Sequence, residues 1–557
     1  MHPVVRGAGA LGLAAALAGG LTACQSGPMA ASAKVEPTTA ATTPAATGAT
    51  PPPAPAETST TAPSAAPSTA PSTALAALPA ALTGQRPGWQ ACPAPSAAQG
   101  GGQAPGAPWE CATLKAPLDY AEPDGRSVDL ALIRLPATGG QPRIGSLLFN
   151  FGGPGASGVA TLPALAEDYA DLNTRYDLVS FDPRGVGDSA GVRCLDDAAT
   201  DATAAVDASP DDDAEVRALA EATAAYANAC RDNSGAVLAH VDTVSAARDL
   251  DLLRQVLGDD RLHYFGFSYG TELGGVYAHL YPHTVGRLVM DAVVDPAQDP
   301  VQSSLGQAKG FQLALENFMT ACAEQAGEAC PTGPGGAQGT RRITTLLQGL
   351  DAAPLPAEGG RTLTQDLAVT GIAAALYSEA SWNALAVGLQ EALEGGAGTT
   401  LLALADAYVG RDAQGRYSNL FAANRAISCV DDRQRYTAAQ VQEQLPAFRQ
   451  ASPVFGDFAA WGLTACAGWP VAGLTDHPDV SAPGAPPIVV IGNTGDPATP
   501  YEGARAMAHG LGAGVGVTVT LRGQGHGGYD TGNVCLKQAV DQYFLDGVVP
   551  ADGTTCT

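Results

Sequence analysis

The segment Gly266-Phe267-Ser268-Tyr269-Gly270 places a serine between two glycines. An apolar run, Leu262–Phe267, precedes it, and the residues that follow favour a helix. A strand, a sharp turn and a helix in this order form a nucleophile elbow, because the glycines let the backbone turn and leave the hydroxyl exposed above a sheet. We therefore predict that Ser268 is a catalytic nucleophile.

A serine nucleophile requires a general base, and the chain holds only 8 histidines from which to choose. His526 lies in a glycine-rich loop, residues 523–528, directly after a strand-like run at 515–521. The other histidines lie in the leader, before the nucleophile, just after its elbow, or on either side of the candidate acid. We therefore predict His526 as the general base.

A carboxylate must orient this base, and two aspartates follow strand-like runs after the nucleophile. Asp496 follows the run at 488–492, and Asp295 follows the run at 287–294. Catalytic groups of open α/β sheets gather at the carboxyl ends of strands, and the acid of an elbow enzyme precedes its histidine in the chain. We predict Asp496 as the orienting acid, with Asp295 as its rival. Thr499 is predicted to cap the helix after Asp496.

A second glycine-rich loop, residues 152–158, follows the strand-like run at 146–151. Backbone N–H groups in such a loop can stabilise the negative charge that develops when a carbonyl is attacked. We predict Gly153 N–H and Tyr269 N–H as this oxyanion hole, with Gly152 N–H as the rival to Gly153. The loop lacks the Gly-Lys-Ser/Thr of a phosphate-binding loop, and neither a cofactor nor a metal ion is predicted.

Short apolar runs alternate with helix-like segments through most of the chain. The strand-like runs lie at 111–118, 127–135, 146–151, 177–182, 262–267, 287–294, 488–492 and 515–521. This alternation predicts an α/β fold with a mostly parallel central sheet covered on both faces. Strand signals disappear in the long stretch before residue 487, where a helical cap is expected. The predicted core therefore comprises residues 86–296 and 487–557, and the predicted cap comprises residues 297–486.

The first 85 residues differ in composition from the rest of the chain. Residues 1–24 combine Arg6, an apolar stretch and Leu21-Thr22-Ala23-Cys24, which are features of a bacterial lipoprotein signal peptide with Cys24 as the lipidated residue. A plain secretory signal cut nearby is the alternative. Residues 25–85 are rich in Ala, Pro, Thr and Ser and hold no aromatic residue, so a disordered tether is predicted. The protein is thus expected outside the cytoplasm, either lipid-anchored to the outer face of a bacterial cell membrane or secreted.

The charge of the chain limits the classes of binding partner, and its cysteine content indicates the cellular compartment. The formal net charge of −26 falls on residues 86–557, and such an acidic surface argues against nucleic acid or anionic lipid as the main partner. Ten cysteines remain when Cys24 is set aside from the 11, an even number that suits disulfides in an exported protein. Sequential pairing is expected, because each pair then closes a short loop: Cys92–Cys111, Cys194–Cys230, Cys322–Cys330, Cys429–Cys466 and Cys535–Cys556.

Five segments together resemble the exported tripeptidyl aminopeptidases, a family of α/β hydrolases related to proline iminopeptidase. The segments are Asn150-Phe151-Gly152-Gly153-Pro154-Gly155, Phe181-Asp182-Pro183-Arg184-Gly185, Gly266-Phe267-Ser268-Tyr269-Gly270-Thr271, Asp496-Pro497-Ala498-Thr499-Pro500 and Gly525-His526-Gly527. The resemblance covers about residues 86–557 and implies an α/β-hydrolase fold with an inserted helical cap. It also implies a catalytic triad of Ser268, Asp496 and His526. Proline iminopeptidases often carry histidine where this chain has Phe151, which favours the tripeptidyl branch.

The leading hypothesis is an exported serine exopeptidase that releases short peptides, with tripeptides expected, from free N-termini through an acyl-enzyme. Such an enzyme must bind an ammonium group, and Asp431 and Asp432, beside Cys429, are candidates. A solvated acidic turn is an equally good interpretation of this pair. A carboxylesterase or lipase with the same triad is a second hypothesis, and a non-catalytic peptide-binding lipoprotein is a third.

Overall fold

The structure is a computed structural model that describes residues 77–557. The predicted signal segment with Cys24, and residues 25–76 of the predicted tether, lie outside the described residues. The last part of that tether is not disordered as predicted. Helix α1 (Ala80–Thr83) lies within it, and Leu78 and Leu82 pack against the hydrophobic core. The fold therefore begins before residue 86, because these two leucines find apolar surface to cover.

A 10-stranded sheet lies at the centre of the fold. Its strands are β1 (Gln90–Ala91), β2 (Glu110–Pro117), β3 (Ser127–Leu135), β4 (Gly145–Asn150), β5 (Tyr176–Phe181), β6 (Leu262–Phe267), β7 (Val285–Asp291), β10 (Ile488–Gly495), β11 (Gly516–Gln524) and β12 (Thr554–Cys556), while β8 (Leu355–Pro356) and β9 (Thr362–Leu363) form a separate hairpin. The order across the sheet is β1-β2-β3-β5-β4-β6-β7-β10-β11-β12. The pairs from β1 to β5 are antiparallel, and all later pairs are parallel. The predicted α/β fold with a mostly parallel sheet is confirmed.

Helices cover this sheet and fill the region between β7 and β10. They are α2 (Gly158–Leu165), α3 (Ala170–Asn173), α4 (Asp197–Thr203), α5 (Asp213–Ser234), α6 (Thr243–Leu257), α7 (Tyr269–Leu280), α8 (Pro300–Ala326), α9 (Gly336–Ala352), α10 (Gln365–Leu376), α11 (Trp382–Gln390), α12 (Thr399–Val409), α13 (Leu420–Asp431), α14 (Ala438–Ala451), α15 (Gly456–Gly462), α16 (Glu502–Leu511) and α17 (Val534–Asp546). None of the helices within residues 77–557 is long and apolar enough to cross a bilayer.

Helices α8 to α15 form the segment between β7 and β10, which we call the cap. Asp299 starts α8 as its N-cap, accepting a hydrogen bond from Gln302 N at 2.8 Å, and Pro300 occupies the first turn, where its missing N–H costs nothing. The cap has a buried core of its own, which includes Leu315, Phe318, Ile343, Ile372, Leu385 and Leu401. A separate core lets this helical layer keep its shape above the sheet.

Five disulfides join the cysteines of the described chain. The pairs are Cys92–Cys111, Cys194–Cys230, Cys322–Cys330, Cys429–Cys466 and Cys535–Cys556. The predicted sequential pairing is confirmed. Disulfides of this number persist in oxidising compartments, so they indicate a protein that works outside the cytoplasm.

Candidate active site

Ser268 lies between β6 and α7 with φ of 55° and ψ of −125°, a backbone conformation that is rare for any residue but glycine. The flanking glycines allow this turn. A Cβ on Gly266 would lie 2.3 Å from Gly270 O, and a Cβ on Gly270 would lie 2.6 Å from Asn150 O. Strand, turn and helix approach each other too closely for side chains, and the resulting elbow directs Ser268 into a cavity.

The loop after β4 packs directly against this elbow. Gly152 has φ of 81°, and a Cβ there would lie 2.8 Å from Ser268 Cβ. The N–H of Gly152 donates to Asn150 Oδ1 at 3.0 Å, so it is already used. The N–H groups of Gly153 and Tyr269 have no partner within residues 77–557, and both residues line the cavity beside Ser268. These two remain the candidate oxyanion-hole donors.

His526 and Asp496 meet at the carboxyl ends of β11 and β10. His526 Nδ1 lies 2.9 Å from Asp496 Oδ1 and 3.1 Å from Oδ2. The Asp496 side chain is fully buried, and that of His526 is 14% exposed. Because Asp496 occupies Nδ1, the Nε2 atom of His526 is free to take a proton from a nucleophile. His526 and Ser268 line the same cavity, although no hydrogen bond joins their side chains in this structure.

The Asp496 carboxylate is held by its own loop. Its Oδ1 accepts hydrogen bonds from Ala498 N at 3.0 Å and Thr499 N at 2.9 Å, and its Oδ2 accepts one from Thr499 Oγ1 at 3.0 Å. The predicted cap of α16 by Thr499 is therefore wrong. Helix α16 has Tyr501 at its N-cap and no side-chain cap, because the Thr499 hydroxyl turns to the carboxylate instead.

Neighbouring groups strengthen His526 as a base. Burial disfavours the imidazolium, but the charge and hydrogen bond of Asp496 outweigh burial and raise the pKa of His526 above its usual value. A base that holds a proton more firmly is better suited to withdraw one from a serine hydroxyl. The pair can thus act as a general base and its orienting acid.

A second buried carboxylate supports the His526 loop. Asp291, the last residue of β7, accepts hydrogen bonds from Gly528 N at 3.0 Å and Tyr529 N at 2.8 Å. Burial raises the pKa of Asp291 to about 6 despite these bonds. The rival acid Asp295 accepts a hydrogen bond from Ala297 N and makes none with His526. Sequence analysis missed Asp291, because it fell inside the predicted strand.

The cavity has two chambers that share Ser268. The inner chamber has a volume of about 200 Å³. Apolar and aromatic side chains dominate its wall: Phe151, Leu165, Phe267, Tyr377, Tyr408 and Phe421. One carboxyl group, that of Asp530, also lines this chamber, and Tyr169 Oη donates a hydrogen bond to it at 3.2 Å. Burial, followed by repulsion from Asp291, raises the pKa of Asp530 to about 7. This chamber suits an apolar group next to the reacting carbonyl.

The outer chamber is larger, at about 510 Å³, and acidic. Both predicted amine-binding residues, Asp431 and Asp432, line it together with Ser268. Asp431 is engaged by Thr243, whose N donates at 2.8 Å and whose Oγ1 donates at 2.6 Å. Asp432 Oδ1 accepts from Gln434 N at 2.6 Å. Both residues are half-buried rather than fully solvated, and burial raises the pKa of each carboxyl.

Glu272 is a further acidic residue of the outer chamber. Sequence analysis did not identify it. It lies in the first turn of α7, and its side chain lines the outer chamber together with Ser268. Burial, followed by repulsion from Asp432, raises the pKa of Glu272 to about 7. Its carboxylate has no hydrogen-bond partner within residues 77–557. An acidic residue in the first helical turn after the nucleophile was the signal that would have identified it.

No group of potential metal ligands within residues 77–557 includes a residue of this cavity. The carboxylates of Asp207, Glu215 and Asp351 do lie within 4.8 Å of one another, but Glu215 already accepts from Asp211 N and Asp212 N. The cavity brings together the groups that nucleophilic chemistry requires, which are a serine, an oriented histidine and two backbone donors, and it adds a row of carboxylates.

Two family profiles and several curated proteins match the chain. The family profile described as "alpha/beta hydrolase fold" matches residues 145–330, and the one described as "TAP-like protein" matches residues 452–556. A "Serine protease Hip1" of Mycobacterium tuberculosis is 38% identical over 462 residues, which cover 80% of this chain and 87% of that protein. A "Carboxylesterase B" of the same organism is 39% identical, covering 80% and 86%.

A "Tripeptidyl aminopeptidase" of Streptomyces lividans is 30% identical over 455 residues, which cover 81% of this chain and 84% of that protein. Among solved structures, a proline iminopeptidase of Mycobacterium smegmatis is 14% identical with a TM-score of 0.32, covering 78% of this chain and 98% of that one.

Proposed function

The chain belongs to the TAP-like family of α/β hydrolases, and on that basis we propose that it is a serine exopeptidase that releases short peptides, tripeptides in particular, from free N-termini. Ser268 attacks the carbonyl carbon of the scissile bond while His526 takes the hydroxyl proton, and Asp496 keeps the imidazole oriented. The N–H groups of Gly153 and Tyr269 stabilise the oxyanion, at about 2.7–4 kcal/mol each. His526 then donates its proton to the leaving amine, and water hydrolyses the acyl-enzyme.

The acidic outer chamber is the observation that best supports this proposal. A chamber that contains the nucleophile and the five carboxyl groups of Glu272, Asp295, Asp431, Asp432 and Asp476 suits a substrate with a positive charge near its scissile bond. The α-ammonium of a peptide has that charge, and an internal peptide bond does not. Glu272 is the best placed of these, because its carboxylate has no hydrogen-bond partner within the described chain. The others are engaged: Asp431, Asp432 and Asp295 already accept hydrogen bonds, and Asp476 pairs with Arg433. Charge-assisted hydrogen bonds of this kind are stronger than neutral ones.

The test compares one peptide with a free N-terminus and the same peptide with an acetylated one, with products identified by mass spectrometry. The proposal expects N-terminal fragments from the free peptide alone, and no turnover in Ser268→Ala. Equal cleavage of both peptides would contradict the exopeptidase assignment. Internal fragments from the acetylated peptide would point to an endopeptidase instead.

A carboxylesterase is the second candidate, favoured by the apolar inner chamber and by the relative of that name. The same three residues would serve it, with an acyl chain in the inner chamber and the outer chamber unused. Comparing an unblocked peptide anilide with a neutral acyl ester of similar size separates the two candidates. Glu272→Gln should impair only the anilide if the peptidase assignment holds.

Disulfides and a lipid on Cys24 are the covalent features that bear on the location of the protein. Its disulfides suit an oxidising compartment outside the cytoplasm, so its peptides are encountered there. We further propose that Cys24 carries a lipid that anchors the enzyme to the outer face of the cell membrane. The presence of the protein in the detergent phase after extraction, and its loss on Cys24→Ala, would support the anchor. Secretion of the unmodified chain is the outcome that would oppose it.

A further inference from the structure

The loop that carries His526 has little rigidity of its own. Gly525 has φ of 90° and Gly527 has φ of 94°, both in a region that only glycine adopts readily. Glycines on both sides of a residue give its backbone unusual freedom, which the surrounding structure must remove. From the sheet side, Asp496 holds the ring at Nδ1, Asn493 Nδ2 donates to the carbonyl oxygens of Gly525 and Gly527, and Asp291 holds the chain after them. None of the three binds the His526 backbone N–H.

That N–H is bound by the cap. His526 N donates to the carbonyl oxygen of Tyr377 at 2.8 Å. Tyr377 directly follows α10, and its ring packs edge-on against the imidazole, with 5.1 Å between centroids and 78° between planes. The two contacts act on different degrees of freedom, since the first fixes the backbone and the second limits rotation of the ring.

Tyr377 is in turn fixed by other cap helices. Its Oη lies 3.2 Å from Tyr408 Oη on α12, and its ring packs against Phe311 of α8 with 5.7 Å between centroids. Tyr377 and Tyr408 line both chambers of the cavity. Tyr377, which contacts the base, therefore joins the end of α10 to side chains of α8 and α12.

We propose that Tyr377 is a positioning residue, by which the cap holds His526 at the orientation needed to take the proton of Ser268. The inference rests on the proposed role of His526 as the base. It matters because no hydrogen bond joins the side chains of Ser268 and His526 in this structure, so the transfer of the proton depends on how the imidazole is oriented. The groups that face the ring are Asp496, Asp291 and the Thr499 hydroxyl, which lies 3.4 Å from Nδ1, from the sheet side, and Tyr377 from the cap.

The test replaces the aromatic ring of Tyr377 and measures the turnover that depends on His526. Tyr377→Leu and Tyr377→Met remove the aromatic contact but keep the backbone carbonyl, whereas Tyr377→Phe keeps both the carbonyl and the ring. Turnover is measured with p-nitrophenyl acetate, which is too small to depend on the chambers, and with an unblocked peptide anilide. The leucine and methionine variants should lower kcat on both substrates by about 10- to 100-fold, because misplaced catalytic groups lose that much. Tyr377→Phe should retain most of kcat.

The pH profile separates positioning from mere stability. A less restrained imidazole bonds less well to Asp496, so the acid limb of kcat/KM should move to lower pH in Tyr377→Leu and Tyr377→Met. Phe318→Leu is the matched control, since Phe318 is a buried cap aromatic that packs against Trp382 and touches neither chamber. It should lower the melting temperature but leave kcat and the acid limb unchanged.

Each failure has its own signature. If a folded Tyr377→Met keeps kcat and the acid limb of the wild type, the inference is overturned, while the proposed function still stands if His526→Ala is inactive. If His526→Ala retains full turnover, the proposed function itself fails. A loss confined to KM of the anilide, with normal turnover of p-nitrophenyl acetate, also overturns the inference, because it would assign Tyr377 to substrate binding alone.

Discussion

Acidification should weaken the binding of free-amine peptides through Glu272. Burial and the nearby Asp432 raise the pKa of Glu272 to about 7, well above the 4.5 of an ordinary glutamate. Above that pH the side chain is a carboxylate that attracts the substrate ammonium. Below it the side chain is neutral and the attraction is lost, so KM for free-amine peptides should rise as the pH falls through neutrality.

The expected magnitude follows from the kind of contact. A hydrogen bond to a charged group contributes about 1.5–3 kcal/mol. Replacing Glu272 by glutamine keeps the shape but removes the charge, so KM for a free-amine peptide should rise roughly 10- to 150-fold, since each 1.4 kcal/mol is tenfold. The kcat value should change little, because Glu272 touches neither the scissile bond nor His526.

The assay uses a ratio to separate binding from chemistry. kcat/KM is measured from about pH 5 to about pH 9 for a free-amine peptide anilide and for a small neutral ester. Titration of His526 affects both substrates and cancels in the ratio. A change of the ratio below neutrality then reports the anchor, and a further change near about pH 8 reports loss of the proton from the substrate amine. Glu324→Gln, which removes an equal charge from an exposed position on α8, is the control. A ratio that is independent of pH in the wild type, or unchanged in Glu272→Gln, would refute the reasoning.

The remaining predictions concern the catalytic pair, the oxyanion loop and stability. Asp496→Asn should lower kcat by about 10⁴-fold at neutral pH, because the amide favours the wrong imidazole tautomer; a loss below tenfold would oppose the assignment. Gly152→Ala should lower the free energy of unfolding by about 1–3 kcal/mol in denaturant titrations, since its methyl group would meet Ser268 Cβ at 2.8 Å; wild-type stability would contradict that contact. Glu272 and Asp291 have folded pKa values raised to about 7 and about 6, so the unfolded chain loses these protons first as the pH rises. Stability should therefore fall from about pH 5 to about pH 8, and a melting temperature that rises over this range would be inconsistent with these shifts.

Most of the fold could be predicted from local sequence patterns. Ser127–Leu135 and Leu262–Phe267 were predicted to the residue, because apolar runs between glycine-rich turns mark buried strands wherever they occur. Sequential disulfides were predicted because short loops are closed most easily. The prediction failed where contacts join distant segments. Leu78 was assigned to a disordered tether, since its own composition gives no sign of the core surface that covers it.

The same limit applies to the site. The motifs around Ser268, Asp496 and His526 are contiguous, so they could be recognised without coordinates. Thr499 was assigned to a helix cap because a threonine before proline resembles one, yet a carboxylate three residues earlier competes for its hydroxyl. Tyr377 could not be found at all, because its contact with His526 spans a large part of the chain and leaves no local pattern.

The most direct measurement is the site and composition of the acyl-enzyme. An unblocked peptide is mixed with the protein, the reaction is stopped in acid during turnover, and the protein is mapped by tandem mass spectrometry. We predict one adduct, on Ser268, whose acyl group is the short N-terminal fragment of the peptide. An adduct on another residue, an adduct that lacks the original N-terminus, or full turnover in Ser268→Ala would contradict it.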